Sequence, residues 1–81
     1  MRKTIRVSSK VEATDICSGI AGMESRDRIT FELPNGYRAV FELYFGRCGV
    51  ETLTPTNVRG GSFSGSVWEA ALFAAKYLRS H

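Results

Sequence analysis

Three places in the sequence hold residue types that do chemistry elsewhere. The run Gly60-Gly61-Ser62-Phe63-Ser64-Gly65-Ser66 spaces two of its glycines as a phosphate-binding loop does and leads into a helix start. That chemistry needs a lysine directly after the second glycine, and Ser66 and Val67 stand there instead, which argues against nucleotide hydrolysis. A weaker alternative is an anion site, since free N–H groups at a helix start attract anions and Arg59 is close by. The plainer reading is a flexible linker ending in a cap, because every helix has such an end. Cys48 sits beside Arg47 in an expected turn, and one cation is a weak signal for a reactive thiol, so Cys48 is read as a turn residue. His81 is the single histidine, and no ligand spacing joins it to Cys17, Cys48 or a carboxylate. No nucleophile has an evident base. The expectation is therefore no catalytic residue, no metal and no cofactor.

Two resemblances to known families are present. Thr14-Asp15-Ile16-Cys17-Ser18-Gly19-Ile20-Ala21-Gly22 resembles the cofactor loop of cytosine-C5 DNA methyltransferases. The likeness ends with those nine residues: neither Pro34 nor Pro55 neighbours a cysteine, so the nucleophile motif is missing, and the chain is too short for that catalytic domain. The expected order of helix, three strands and helix is similar to that of double-stranded RNA-binding domains. Those carry a lysine cluster at the start of the last helix, where this chain has Ser64, Gly65 and Ser66. Neither resemblance assigns the chain to a family.

The chemistry-bearing residues must be held by one small domain, since 81 residues leave no room for a second core. Hydrophobic residues make up 43% and charged residues 23%, which excludes a disordered tail or a disulfide-dense toxin. The net charge of +3 is too small to imply nucleic acid alone. The longest apolar run, Ala70 to Ala75, falls far short of the roughly 20 residues of a membrane span, so no membrane association is expected. The basic start at Met1-Arg2-Lys3 has no apolar stretch behind it, and two cysteines without a secretion signal read as reduced thiols. The expected compartment is the cytoplasm.

The clearest elements are two strands. Ile29, Phe31 and Leu33 alternate with Arg28, Thr30 and Glu32, and Tyr37 to Phe45 alternates in the same way. A two-residue Asn35-Gly36 turn would mix apolar and charged residues on both faces. A three-residue Pro34-Asn35-Gly36 loop sets Phe31 opposite Ala39 and Ile29 opposite Phe41. It also sets Glu32 opposite Arg38 and Arg28 opposite Glu42, which predicts two cross-strand ion pairs. A third strand over Val50 to Thr54 follows a Gly46-Arg47-Cys48-Gly49 turn. With Gly49 left-handed, Leu53 would face Leu43 and Glu51 would face Phe45. Pro55 to Gly65 is expected to be irregular. Lys3 to Val7 is expected as an edge strand, and Ala13 to Met23 as a short helix or broken turn with Thr14 as a cap. Ser66 and Glu69 form a capping box for a helix from Val67 to about Arg79. The fold class is α+β: a three-stranded antiparallel sheet, with a fourth N-terminal edge strand as an option, packed on a C-terminal helix.

On that helix Val67, Ala71, Ala74 and Leu78 form the centre of the stripe facing the sheet, and Trp68 and Ala75 widen one side of it. Phe73 and Tyr77 fall outside it, and with Trp68 they form the expected protein-binding residues. The competing expectation is that Ala13 to Met23 folds over Phe73 and Tyr77 and makes them core. The functional expectation is a non-catalytic protein acting through protein contacts, with a homodimer through this helix as one form of it. Lone domains of this size are often regulators or inhibitors encoded by bacteria or phages. The alternative is a nucleic-acid-binding module using Arg2, Lys3, Arg6, Lys10 and Arg59. The outer sheet face is read as solvated, because each of its arginines has a glutamate opposite.

Overall fold

The structure is a computed structural model that describes residues 1–44 and 46–81. Seven elements follow in order: strand β1 (Arg2–Arg6), helix α1 (Ala13–Ile20), strands β2 (Arg28–Glu32), β3 (Arg38–Tyr44), β4 (Arg47–Leu53) and β5 (Arg59–Gly65), and helix α2 (Val67–Arg79). The strands form one sheet in sequence order, with β1 parallel to β2 and every other pair antiparallel. The fold is α+β as expected, but the sheet has five strands and is mixed.

The β2–β3 hairpin has the expected register: Phe31 pairs with Ala39, Ile29 with Phe41 and Glu32 with Arg38. The loop closes with Leu33 N–H donating to Tyr37 O at 2.8 Å and Gly36 N–H donating to Leu33 O at 3.0 Å. Gly36 takes the left-handed conformation, with φ of +95°.

The next turn is tighter than expected. Tyr44 pairs with Arg47, which leaves two residues in the loop, and the left-handed glycine is Gly46, at φ +77°, rather than Gly49. This moves β4 by a register that turns Leu53 outward, opposite Arg38, and sets Leu43 against Cys48. Glu51 pairs with Val40; its expected partner, Phe45, lies outside the described residues.

The stretch read as irregular contains a strand. Phe63 pairs with Val50 and Gly61 with Thr52, and a bulge lies where Leu53 meets Arg59. The alternation of Gly61, Phe63 and Gly65 with Ser62 and Ser64 is real, but only Phe63 carries an apolar side chain. Glycine and serine rank low as strand formers, so pairing with β4 rather than propensity makes this strand.

Both helices pack on one face of the sheet. Ile29, Phe31, Ala39, Phe41, Cys48 and Val50 are buried beneath Ile16 and Ile20 of α1 and Ala70, Ala71, Ala74, Ala75 and Leu78 of α2. The alanines bring α2 close to the sheet, as its composition implies. Ser66 caps α2, its Oγ accepting from Glu69 N–H at 3.2 Å and donating to Glu69 Oε1 at 2.9 Å. Helix α1 is one of the two forms expected. Glu12 rather than Thr14 stands at its cap, with Glu12 N–H donating to Asp15 Oδ2 at 3.0 Å. Thr14 to Ile20 are therefore helical, with only Ala21 and Gly22 beyond the helix, and do not form a loop of the kind the methyltransferase resemblance implies.

Cys48 lies in this core and both cysteines are free. Burial pushes the Cys48 thiol above its ordinary pKa, and the Cys17 thiol adds to the effect. Both factors slow alkylation, because the thiolate is the nucleophile. In the native protein N-ethylmaleimide is expected to label Cys17 first, and Cys48 only on unfolding. Mass spectrometry of digests taken over time checks this, and equal labelling rates would contradict it.

Candidate functional site

Two surfaces carry the residues singled out from the sequence, and they lie on opposite sides of the molecule. The first is the sheet face that no helix covers. The register arranges it in three rows across the strands. One row is Arg2, Arg28, Glu42, Gly49 and Ser64. The next is Thr4, Thr30, Val40, Glu51 and Ser62, and the third is Arg6, Glu32, Arg38, Leu53 and Arg59. Tyr44 and Arg47 close the end of the first row.

The ion pairing on this face differs from expectation in one place. Arg28 pairs with Glu42 at 3.7 Å, as expected. Arg38 does not engage Glu32. Its guanidinium donates instead to Thr54 O at 3.1 Å, to Gly36 O at 3.3 Å and to Asn57 Oδ1. Three acceptors converge from the β2–β3 and β4–β5 loops, and a planar fork of donors suits several fixed oxygens better than one mobile carboxylate. Glu32 is left to Arg6, at 4.0 Å. A double-mutant cycle on Arg38 and Asn57 is therefore expected to show coupling of about 0.5–1.5 kcal/mol, the range of a single hydrogen bond. The cycle on Glu32 and Arg38 is expected to show markedly less, and urea unfolding of the single and double variants measures both.

Of the expected nucleic-acid residues, Arg2 and Arg6 share the open face with Arg28 and Arg38. Lys3 joins Arg2, Thr4, Arg28, Thr30, Arg38 and Val40 around a depression of about 420 Å³. Lys10 lies in the connection between β1 and α1. Arg59 is on the far edge strand, held at 2.8 Å by Glu51. A second depression of about 350 Å³ adjoins the first across Arg28 and Val40 and reaches Tyr44, Gly49 and Ser62. Tyr44 leans across the sheet over Gly49: a Cβ on that glycine would stand 2.7 Å from Tyr44 Oη. A side chain here would push the ring away.

The second surface is the outer side of α2. Trp68 is 49% exposed, Leu72 45% and Val67 43%. Phe73 and Tyr77 are half-buried. Strand β5, and not α1, covers them: Phe73 stacks on Phe63 with ring centroids 5.7 Å apart, and Tyr77 lies over Gly60. Tyr77 also meets Tyr37 at 6.3 Å and His81 at 4.4 Å. Burial raises the Tyr77 pKa, and the Tyr37 hydroxyl adds to the rise. Val67 and Trp68, expected within the stripe that faces the sheet, are thus exposed, and Leu72 is an exposed residue that sequence reasoning did not single out. Its position one turn from Trp68 was the available signal.

Among the described residues no group of three or more His, Cys, Asp or Glu side chains is placed to hold a metal ion. No helix is long and apolar enough to cross a membrane. Comparison with protein-family models, with curated proteins and with solved structures found no match for the chain.

Proposed function

We propose that the chain is a non-catalytic binding protein that works through protein contacts made by α2. In this reading it is a cytoplasmic regulator or inhibitor of the kind that bacteria and phages encode. One observation carries the proposal: a tryptophan and a leucine one turn apart lie about half exposed on a helix whose other side is core. Tryptophan is enriched among residues that dominate binding energy. Phe73 and Tyr77 lie on the other flank of α2, against β5, with Glu69 and Lys76 between the two flanks. The occupant we assign is a second copy of this chain. An antiparallel two-fold contact centred between Leu72 and Phe73 sets Glu69 of each copy opposite Lys76 of the other, so the surface is complementary to itself in charge as well as apolar. The experiment is sedimentation over a wide concentration range for the native protein, Trp68→Ala and Glu69→Lys. The native protein is expected to dimerise, both variants to weaken the dimer, and Glu69→Lys with Lys76→Glu to restore it. A native protein that stays monomeric at every concentration sinks the second-copy assignment.

A second reading, nucleic-acid binding, is favoured by a separate observation. Arg2, Lys3, Arg28 and Arg38 line one depression to which no carboxylate contributes. Counterion release from a polyanion needs cations grouped in this way. A gel shift at low salt with single-stranded and duplex oligonucleotides tests it, and the absence of any shift ends it.

A further inference from the structure

The placement of charge over the whole molecule is uneven. The open sheet face carries Arg2, Arg6, Arg28, Arg38, Arg47 and Arg59 against Glu32, Glu42 and Glu51. The rest of the chain carries Lys3, Lys10, Arg26, Lys76 and Arg79 against Glu12, Asp15, Glu24, Asp27 and Glu69. Those five cations and five anions cancel. The entire formal net charge of +3 therefore belongs to one face, and that face is the one left without a covering layer.

We infer that this face seats a single strand of nucleic acid, with phosphates held at the β1–β2–β3 corner and a base stacked on Tyr44. The inference rests on the nucleic-acid reading above and names the form of the ligand and the way it is held. Three features support a single strand. The cations are graded across the sheet: the face arginines Arg2, Arg28 and Arg38 line the first depression, while Glu42 and Glu51 border the second. Both glutamates are neutralised by arginines, at 3.7 Å and 2.8 Å, so the second depression is polar without repelling phosphate strongly. Its exposed aromatic is Tyr44, which is 41% exposed and lies against the sheet because Gly49 has no side chain. Bases of single strands stack on such rings in a sequence-tolerant way, whereas a duplex keeps its bases in its own stack. The two depressions share Arg28 and Val40, so the phosphate end and the base end are continuous. From Arg2 to Gly49 the row crosses three inter-strand steps of about 4.8 Å each, a span of about 15 Å that a few nucleotides cover.

The test uses fluorescence anisotropy with labelled oligouridylate and oligothymidylate, a duplex of mixed sequence, and polyglutamate as competitor. Both single strands are expected to bind. Three unbalanced cations give a slope of about −2 for log affinity against log salt, which is about 20-fold weaker binding from about 50 to about 200 mM salt. Arg2→Gln, which removes one of those three cations, is expected to flatten that slope by about 0.7. Tyr44→Ala is expected to weaken binding about tenfold at any salt, and Tyr44→Phe to leave it unchanged. Gly49→Val, which displaces the ring, is expected to behave like Tyr44→Ala. Equal or tighter binding of the duplex, with Tyr44→Ala neutral, overturns the single-strand seat and leaves the nucleic-acid reading standing. No binding of any oligonucleotide at low salt overturns both. Displacement by polyglutamate at matched charge, again with Tyr44→Ala neutral, makes an acidic protein the occupant and also overturns both.

Discussion

Phe31→Ala is expected to remove a large part of the domain's stability. Phe31 is 1% exposed and meets Phe41 edge-on, with ring centroids 5.5 Å apart. Its ring also lies against Gly19 of α1, where an added Cβ would come within 2.7 Å of Phe31 Cζ. The ring thus joins the β2–β3 hairpin to α1, and removing it opens a cavity that α1 cannot fill without leaving its own contacts. The cost for a fully buried Phe is about 3–5 kcal/mol. A domain of 81 residues has a total stability of roughly 4–12 kcal/mol. The loss takes a quarter or more of that, and at the lower end it takes all of it. Urea denaturation followed by circular dichroism measures the effect. A variant with a midpoint close to the native value would mean that the core is not closed around this ring.

Phe73→Ala is expected to cost about 2 kcal/mol, in contrast to Trp68→Ala, which is expected to stay within about half a kcal/mol of the native protein. The two residues sit on the same helix and are similar in size. They differ in what lies opposite. Phe73 stacks on Phe63 of the edge strand β5, and that stack adds about 0.5–1.5 kcal/mol to the area buried. Trp68 meets solvent. Because β5 is held by few apolar side chains, Phe73→Ala should also loosen that strand selectively. Amide exchange at Phe63 and Ser62 is then expected to speed up before exchange at β2 and β3 does. Uniform acceleration across the sheet would show that β5 does not move as a unit of its own.

The features legible in the chain are those that depend on neighbours in sequence. The β2–β3 register follows from alternation on either side of Pro34-Asn35-Gly36, because a shift by one residue would turn Ile29 and Phe31 to opposite partners. The start of α2 follows from Ser66, whose Oγ accepts from Glu69 N–H within one turn, although the Glu69 carboxylate takes the Ser66 hydroxyl and not the backbone N–H of a full capping box. The outward side of β2 and β3 follows from period two alone. For these elements composition, spacing and turn chemistry agree.

Other features depend on what folds back from a distance. Strand β5 is made of residues that favour loops, and it exists because β4 offers an unpaired edge and α2 offers Phe73. Arg38 faces Glu32 in the register, yet it bonds to Thr54 and Asn57, because the β4–β5 turn brings more acceptors to the same guanidinium. On a helical wheel of α2, Phe73 and Tyr77 flank the buried stripe on one side, and Trp68 and Leu72 flank it on the other. Only the position of β5 under one flank decides that they are half-buried and that Trp68 and Leu72 are exposed. The same holds for charge. The sequence determines a total of +3, but β1 pairing parallel to β2 is what sets Arg2 and Arg6 beside Arg28 and Glu32. Local pattern specifies what each strand turns outward; only strand order decides which outward residues become neighbours, because pairing between strands distant in sequence is a property of the assembled sheet.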